Sequence, residues 1–555
     1  MVDELESAKL IISVFIQPEI EWLLNSLLIN SFAAYPRRCM AYRSTFAKTY
    51  FSKLGEIRKL AGQTMWYGVS SIAARLINYL LTPYLTYSLT IKTADFGKMA
   101  LVYAAIPVFN IIFTYGFETA FFRFSSTDER HNRSVYSTAV WSLTATTLLL
   151  SALMWHKQQT LTSVLGLDTY PQLVQLGIII IALDALSAIP FARLRQEGRP
   201  VKFALIRISG ILINVFLTWF FVSYCTESVR QDPNSWVLGF FNPGLNPIVY
   251  VLAANLIQSA LTLVLLGREL LQVRPAFNGK LWLRMMIYAL PLLVAGLGGM
   301  INETLDRLML NWWLPGSTEE KQSAVGIYNA CYKLALLITL FIQAFRMGAE
   351  PFFFKQSTGA NPGQVYARVM KFFVIVVSLM FLVVALFIPV WKYFIGPRYW
   401  SGLSVVPVLL FANIFLGIYY NLSIWYKLSN NTLAGAWITL AGSVVTIVIN
   451  YLFIPRYGFN ACAWSTFLCY GTMMVISFKW GQKRFRIPYA WKKLLAYLVI
   501  VAILFFLHKG LIALWPNRYF ALFTALVLTA AYCRFILLVE KKELVKLPVL
   551  GRLIR

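Results

Sequence analysis

Acidic residues are scarce in this chain: 23 Asp and Glu stand against 50 Lys and Arg in 555 residues, and charged side chains make up only 13% of the whole. Soluble domains carry about 25%, so a soluble globular protein is excluded. With 59% hydrophobic residues and a mean hydropathy of +0.64, the chain belongs in a bilayer. Histidine is almost missing. His131, His156 and His508 are the only three, each near the end of an apolar run, which excludes a zinc site. Cysteine is sparse and shows no C-x-x-C pair: Cys225, Cys331, Cys462, Cys469 and Cys533 lie in or beside apolar runs and read as buried thiols, not a disulfide framework. There is no G-x-x-x-x-G-K-[ST] loop, so ATP does not drive this protein through its own chain. No connection is long enough to be a catalytic domain. The longest, 223–247, is rich in Asn, Pro and Gly and reads as a structured turn region.

What the chain does have is long apolar runs. About fourteen, each of roughly 20 residues, are long enough to cross a hydrocarbon core of about 30 Å. They begin near Gly62, Met99, Ser134, Leu173, Val201, Asn246, Trp282, Ala324, Tyr366, Leu403, Asn431, Phe459, Trp491 and Tyr519. The net charge of +27 is not spread as a nucleic-acid surface would be. Basic residues crowd alternate connections: Arg123, Arg130 and Arg133, then Arg193, Arg195, Arg199 and Lys202, then Arg268, Arg274, Lys280 and Arg284. Lys355, Arg368 and Lys371 follow, and then Lys479, Lys483, Arg484, Arg486, Lys492 and Lys493. By the positive-inside rule these loops and both termini are expected in the cytoplasm.

A short signature occurs twice, as Glu118-Thr-Ala-Phe-Phe-Arg123 and as Glu350-Pro-Phe-Phe-Phe-Lys355; the same offset of 232 places Arg75 on Arg307 and Gly210 on Gly442. Six spans separate each pair, so the two copies enter the membrane in one orientation, a parallel repeat about an axis along the membrane normal. The expected fold is an all-α polytopic membrane protein of two six-helix lobes, 55–267 and 281–480, joined by a basic linker, 268–280. Two extra helices and a basic tail fill 481–555. Residues 1–54 carry Asp3, Glu4 and Glu6, the wrong sign for a signal peptide, and are expected to be an interfacial extension or the product of a misassigned start. Pro291, Gly296, Gly298 and Gly299 interrupt the seventh span, and a hinge or close helix packing is open there.

Ionisable residues within spans are costly and point to function or to buried pairing. In the first span Thr64, Gly68, Ser71, Arg75, Asn78 and Thr82 share one face, with Arg75 near mid-depth. In the seventh, Glu303 and Arg307 are four apart and placed to pair within the helix, while Asp306 is placed to reach a neighbour. A structural pair and a functional site are both open at that point. Lys333 sits mid-span near Asn329 and Tyr332, and Arg346 and Glu350 follow toward the basic end, where Glu118 and Arg123 hold the matching place in the first copy. Asp184 and Arg207 are expected to form an ion pair inside the first lobe.

At Leu60-Ala-Gly-Gln-Thr-Met-Trp-Tyr-Gly68, Thr114-Tyr-Gly-Phe-Glu-Thr-Ala-Phe-Phe-Arg-Phe124 and Ile454-Pro-Arg-Tyr-Gly458 the chain resembles the Wzx-like flippases of lipid-linked oligosaccharides, in the multidrug/oligosaccharidyl-lipid/polysaccharide (MOP) exporter superfamily. The resemblance implies a V-shaped pair of lobes, similar to MATE and MurJ transporters, that alternates between inward-open and outward-open states around a cationic cavity. It implies no enzyme and no cofactor, and as substrate an undecaprenyl-pyrophosphate glycan moved to the periplasmic leaflet of the bacterial inner membrane for O-antigen, lipopolysaccharide or other surface polysaccharide, alongside polymerase and ligase machinery. Substrate-binding residues would be Arg75, Asn78, Arg307, Lys333 and Arg346. Coupling to H⁺ or Na⁺, or gating, would fall to Glu118, Arg123, Glu303, Asp306 and Glu350. A lipid II flippase of the MurJ type, a MATE-type drug exporter and a polytopic glycan polymerase or ligase remain alternatives.

Overall fold

In hydrocarbon a backbone polar group has no water to bond with, so each long apolar run closes its hydrogen bonds within itself as a helix. The computed structural model describes residues 73, 76, 77, 79–125, 129–357, 361–429 and 431–545, and no strand occurs among them. Thirteen helical spans among the described residues are long and apolar enough to cross a membrane, and they coincide with the second to fourteenth apolar runs. The first run lies largely outside the described residues and enters them as a helix over 79–87, α1.

The first lobe continues with α2 (Thr93–Thr114), α3 (Phe117–Phe124), α4 (Glu129–His156), α5 (Pro171–Gln196), α6 (Pro200–Trp219) and α7 (Pro247–Leu265). The second holds α8 (Gly279–Trp313), α9 (Thr318–Gln356), α10 (Pro362–Ala385), α11 (Val405–Leu422), α12 (Thr432–Tyr457) and α13 (Phe459–Arg484). Packing repeats as the duplication requires: α5 touches α2, α4 and α7, and its counterpart α11 touches α9, α10 and α13; α6 packs on α7 as α12 packs on α13. The copies are not conformationally identical. The first signature forms its own helix, α3, after a break at Tyr115 and Gly116, both with positive φ, whereas α9 runs unbroken through the second signature.

The lobes meet where α2 and α9 begin, at the end of the bundle poor in basic residues. A Cβ on Gly97 would stand 1.8 Å from the carbonyl oxygen of Gln322, and one on Gly326 would stand 2.3 Å from that of Thr93, so the two backbones touch. Hydrogen bonds extend this seam: Gln322 donates to the Gly166 carbonyl at 2.6 Å, Trp312 to that of Val164 at 2.7 Å, and Gly396 N–H to the Thr86 hydroxyl at 3.1 Å.

At the opposite, basic end the linker lies against the first lobe. Glu269 is buried and accepts from Lys202 at 2.7 Å and Arg199 at 3.0 Å. Leu281, Met285 and Ala289 of α8 pack with Tyr115, Phe121 and Tyr136. Further along α8, Gly296 abuts Ile111 of α2 while Gly298 abuts Ser443 and Thr439 of α12. The handover between lobes therefore lies within α8, not at the 268–280 linker, and these two glycines serve close packing.

The last helices, α14 (Trp491–Leu514) and α15 (Arg518–Val539), pack on α10. Buried Glu540 ties them there, accepting from Lys371 at 2.9 Å and Lys493 at 2.5 Å and from the Tyr497 hydroxyl. Burial raises the Glu540 pKa, but Lys493, Tyr497 and Lys371 together outweigh that and hold it below the usual carboxylate range. Breaking a buried pair costs about 3–5 kcal/mol, so Glu540→Gln is expected to lower the unfolding temperature of purified protein at pH 7. Because the folded pKa is depressed, this stabilisation is present above the unfolded value of about 4.3 and lost as pH falls through the folded one. The gap between wild type and Glu540→Gln should close in acid; a gap that stays constant to pH 3 would contradict the charged clamp.

Candidate functional site

Beneath the seam, between the lobes, lies a cavity of about 280 Å³. The α8 and α9 wall supplies Glu303, Thr304, Arg307, Asn329, Tyr332 and Lys333. The first-lobe wall supplies Thr82, Tyr103, Asn214 and Asn255 among apolar and small residues such as Phe96, Met99, Ala100 and Ala104.

Arg307 is 6% exposed and rigidly held. Its Nη1 donates to Asp306 Oδ1 at 2.9 Å and to the Glu303 carbonyl at 2.8 Å, its Nε donates to Asn329 Oδ1 at 3.3 Å, and its guanidinium lies 4.2 Å from the centre of the Tyr332 ring. Asp306 also accepts from the Tyr328 hydroxyl of α9 at 2.5 Å. The expected pairing of Arg307 with the Glu303 carboxylate is thus corrected: adjacent Asp306 takes the charge, and Glu303 offers only its backbone carbonyl. The Glu303 side chain is exposed on the cavity wall, and neither it nor Lys333 has an ion-pair partner among the described residues. With Asp306 offsetting Arg307, Lys333 is the cation on this wall that no neighbour neutralises. A planar guanidinium beside a mobile ammonium suits a phosphate, the first through forked hydrogen bonds and the second as a point charge.

The other expected site residues divide. Arg75, Asn78 and the side chain of Glu350 lie outside the described residues. Arg346 does not line the central cavity: its guanidinium stacks over Tyr420 at 4.8 Å, beside a small hollow inside the second lobe with Phe345, Gly417 and Asn421. Glu118 pairs with Arg195 at the basic end, and Arg123 is exposed. Glu118 and Arg195 line a separate first-lobe cavity of about 380 Å³ with Asp184 and Arg207. Within it Asp184 accepts from Ser259 at 2.8 Å, and Arg207 lies over the rings of Phe203 and Phe191. No group of three or more metal-ligating side chains occurs among the described residues. Tyr103, Asn214 and Asn255 were missed by sequence reasoning; for the two asparagines the signal was an amide within an otherwise apolar run, which carries no charge to draw notice.

Residues 60–357 match the family model described as Polysaccharide biosynthesis protein. No curated relative matches the sequence. Among solved structures the chain is similar to the lipid II flippase MurJ in its inward closed conformation, with a TM-score of 0.64 and 14% identity over 86% of this chain and 99% of that one. It is also similar to an inward-facing multidrug resistance MATE family transporter of the MOP superfamily, with a TM-score of 0.55 and 13% identity over 76% of this chain and 94% of that one. At such identities the likeness establishes the fold alone.

Proposed function

Because the chain belongs to the polysaccharide biosynthesis protein family, we propose that it is a flippase for undecaprenyl-pyrophosphate-linked oligosaccharide, moving it from the cytoplasmic to the periplasmic leaflet by alternating access. The observation that carries this reading is the Arg307 and Lys333 pair on the wall of a cavity between two repeated lobes, the place where transporters of this construction bind substrate. A pyrophosphate is anionic and matches both groups. With the basic loops in the cytoplasm the sealed α2–α9 seam faces the periplasm. Export of one negative charge across an inside-negative membrane is favourable by about 2.3 kcal/mol per 100 mV. A proton or Na⁺ carried inward on Glu303 as the emptied cavity returns would add its own downhill gradient to the cycle. Asp306, spent on Arg307 and Tyr328, is less suited to that role. A lipid II flippase is the second reading, since its substrate presents the same pyrophosphate and the MurJ fold is shared. Lys333, the cation on this wall that no described neighbour neutralises, favours an anionic substrate over the cationic drugs of a multidrug exporter.

The test is flipping in vesicles that contain purified protein, with the lipid-linked glycan extracted from cells lacking the gene. Lys333→Met is expected to lower the rate more than tenfold at normal abundance, and Glu303→Gln to keep flipping while losing its dependence on pH, Na⁺ or membrane potential. Accumulation of lipid II in those cells, or turnover of lipid II alone, would replace the glycan reading with the second one.

A further inference from the structure

The two walls of the central cavity differ in kind. Every charged side chain described there, Glu303, Arg307 and Lys333, comes from α8 or α9. Among the described residues the opposite wall, from α1, α2, α6 and α7, offers neutral polar groups: Thr82, Tyr103, Asn214 and Asn255. We infer that the neutral wall is a sugar subsite, in which Asn214, Asn255 and Tyr103 read the glycan next to the pyrophosphate while the charged wall holds the phosphates. This rests on the function proposed above and adds a division of labour to it.

The chemistry of the three residues supports the assignment. A carboxamide presents an acceptor and a donor side by side and so matches neighbouring sugar hydroxyls, each of which both donates and accepts. Asn255 Nδ2 donates to the Tyr103 hydroxyl at 3.3 Å, which orients both groups and leaves the Asn255 Oδ1 for a ligand. Asn214 accepts at its Oδ1 from Thr218 at 3.4 Å, and its NH₂ has no hydrogen-bond partner among the described residues. That places amide donors of a residue only 7% exposed at the cavity wall, where a sugar hydroxyl can accept from them. Neighbouring Ala100 and Ala104 keep α2 thin beside Tyr103, leaving room against its ring. At about 280 Å³ the cavity sits at the low end of small-molecule sites, so it reads only the sugar nearest the phosphates and not a whole oligosaccharide.

The experiment measures binding to full-length protein in nanodiscs with two probes, bare undecaprenyl pyrophosphate and the lipid-linked glycan that accumulates when the gene is deleted. Wild type is expected to prefer the glycan-bearing lipid about tenfold. Asn214→Leu and Asn255→Leu should each reduce that preference about 3- to 10-fold, the worth of one hydrogen bond, with affinity for the bare lipid nearly unchanged; Tyr103→Phe should act in the same direction. Lys333→Met should weaken both probes alike. If a leucine variant fails to fold, Asn214→Ser and Asn255→Ser provide the same comparison with a small polar side chain. A wild type that binds both lipids equally, or folded variants that keep the full preference, would overturn the subsite and leave the flippase reading standing. A wild type that binds neither lipid would remove both.

Discussion

Arg307→Ala is expected to abolish flipping and to lower the amount of folded protein. The two losses have separate causes. Flipping fails because the cavity loses its only described forked donor, held in place by Asp306, the Glu303 carbonyl and the Tyr332 ring. Folding suffers because Asp306, 2% exposed, keeps only the Tyr328 hydroxyl and its own neighbour's N–H as donors, and an uncompensated buried charge costs about 3–5 kcal/mol. Adding Asp306→Asn removes that charge. The double variant Arg307→Ala, Asp306→Asn should therefore recover abundance without recovering transport. Arg307→Lys should recover both only in part, because lysine keeps the charge but not the fork or the stacking surface. Flipping normalised to folded protein decides the matter: full activity in the abundant double variant would make the Arg307–Asp306 pair structural alone.

Gly97→Ala, a single added methyl, is expected to be as damaging. Its Cβ would meet the Gln322 carbonyl oxygen at 1.8 Å, and no flexible side chain lies there to give way, only the backbone of α9. Gly326→Ala meets the Thr93 carbonyl oxygen at 2.3 Å and should behave alike. Gly299→Ala in α8 has open space and is the control. In a transporter that must close this seam once per cycle, the first two should reduce flipping more than tenfold and hold α2 and α9 apart. Cysteines placed at Thr93 and Gln322 should cross-link readily in the otherwise native chain and poorly alongside Gly97→Ala. Unchanged cross-linking together with normal flipping would mean that the α2–α9 contact is not part of the cycle.

Some of this architecture needed no coordinates. Hydropathy accumulates locally along the chain, about 20 apolar residues to a crossing, so the starts of thirteen spans could be read one residue after another and agree with the helices. The duplication was legible for the same reason: Glu118 and Glu350, or Gly210 and Gly442, stand at a constant offset whatever their surroundings. That Glu303, Asp306, Arg307 and Lys333 share the membrane interior also followed from their places in apolar runs.

Which groups meet was decided only in three dimensions. Spacing of four suggested Glu303 as the partner of Arg307, yet the Arg307 side chain turns to Asp306, which Tyr328 of another helix holds in place. Arg346 occupies a mid-membrane helix as Arg307 does, but its face of α9 turns into the second lobe and stacks on Tyr420. Asn214 and Asn255 are forty-one residues apart on different helices and become one wall because α6 and α7 pack together. The point at which α8 leaves one lobe for the other is set by what faces Gly296 and Gly298, not by any feature of the linker before it. Crossing of the bilayer depends on the composition of one segment, whereas a site depends on the rotation and crossing angle of several helices. Those angles are fixed by side-chain packing between segments distant in the chain, and no spacing within a single helix encodes them.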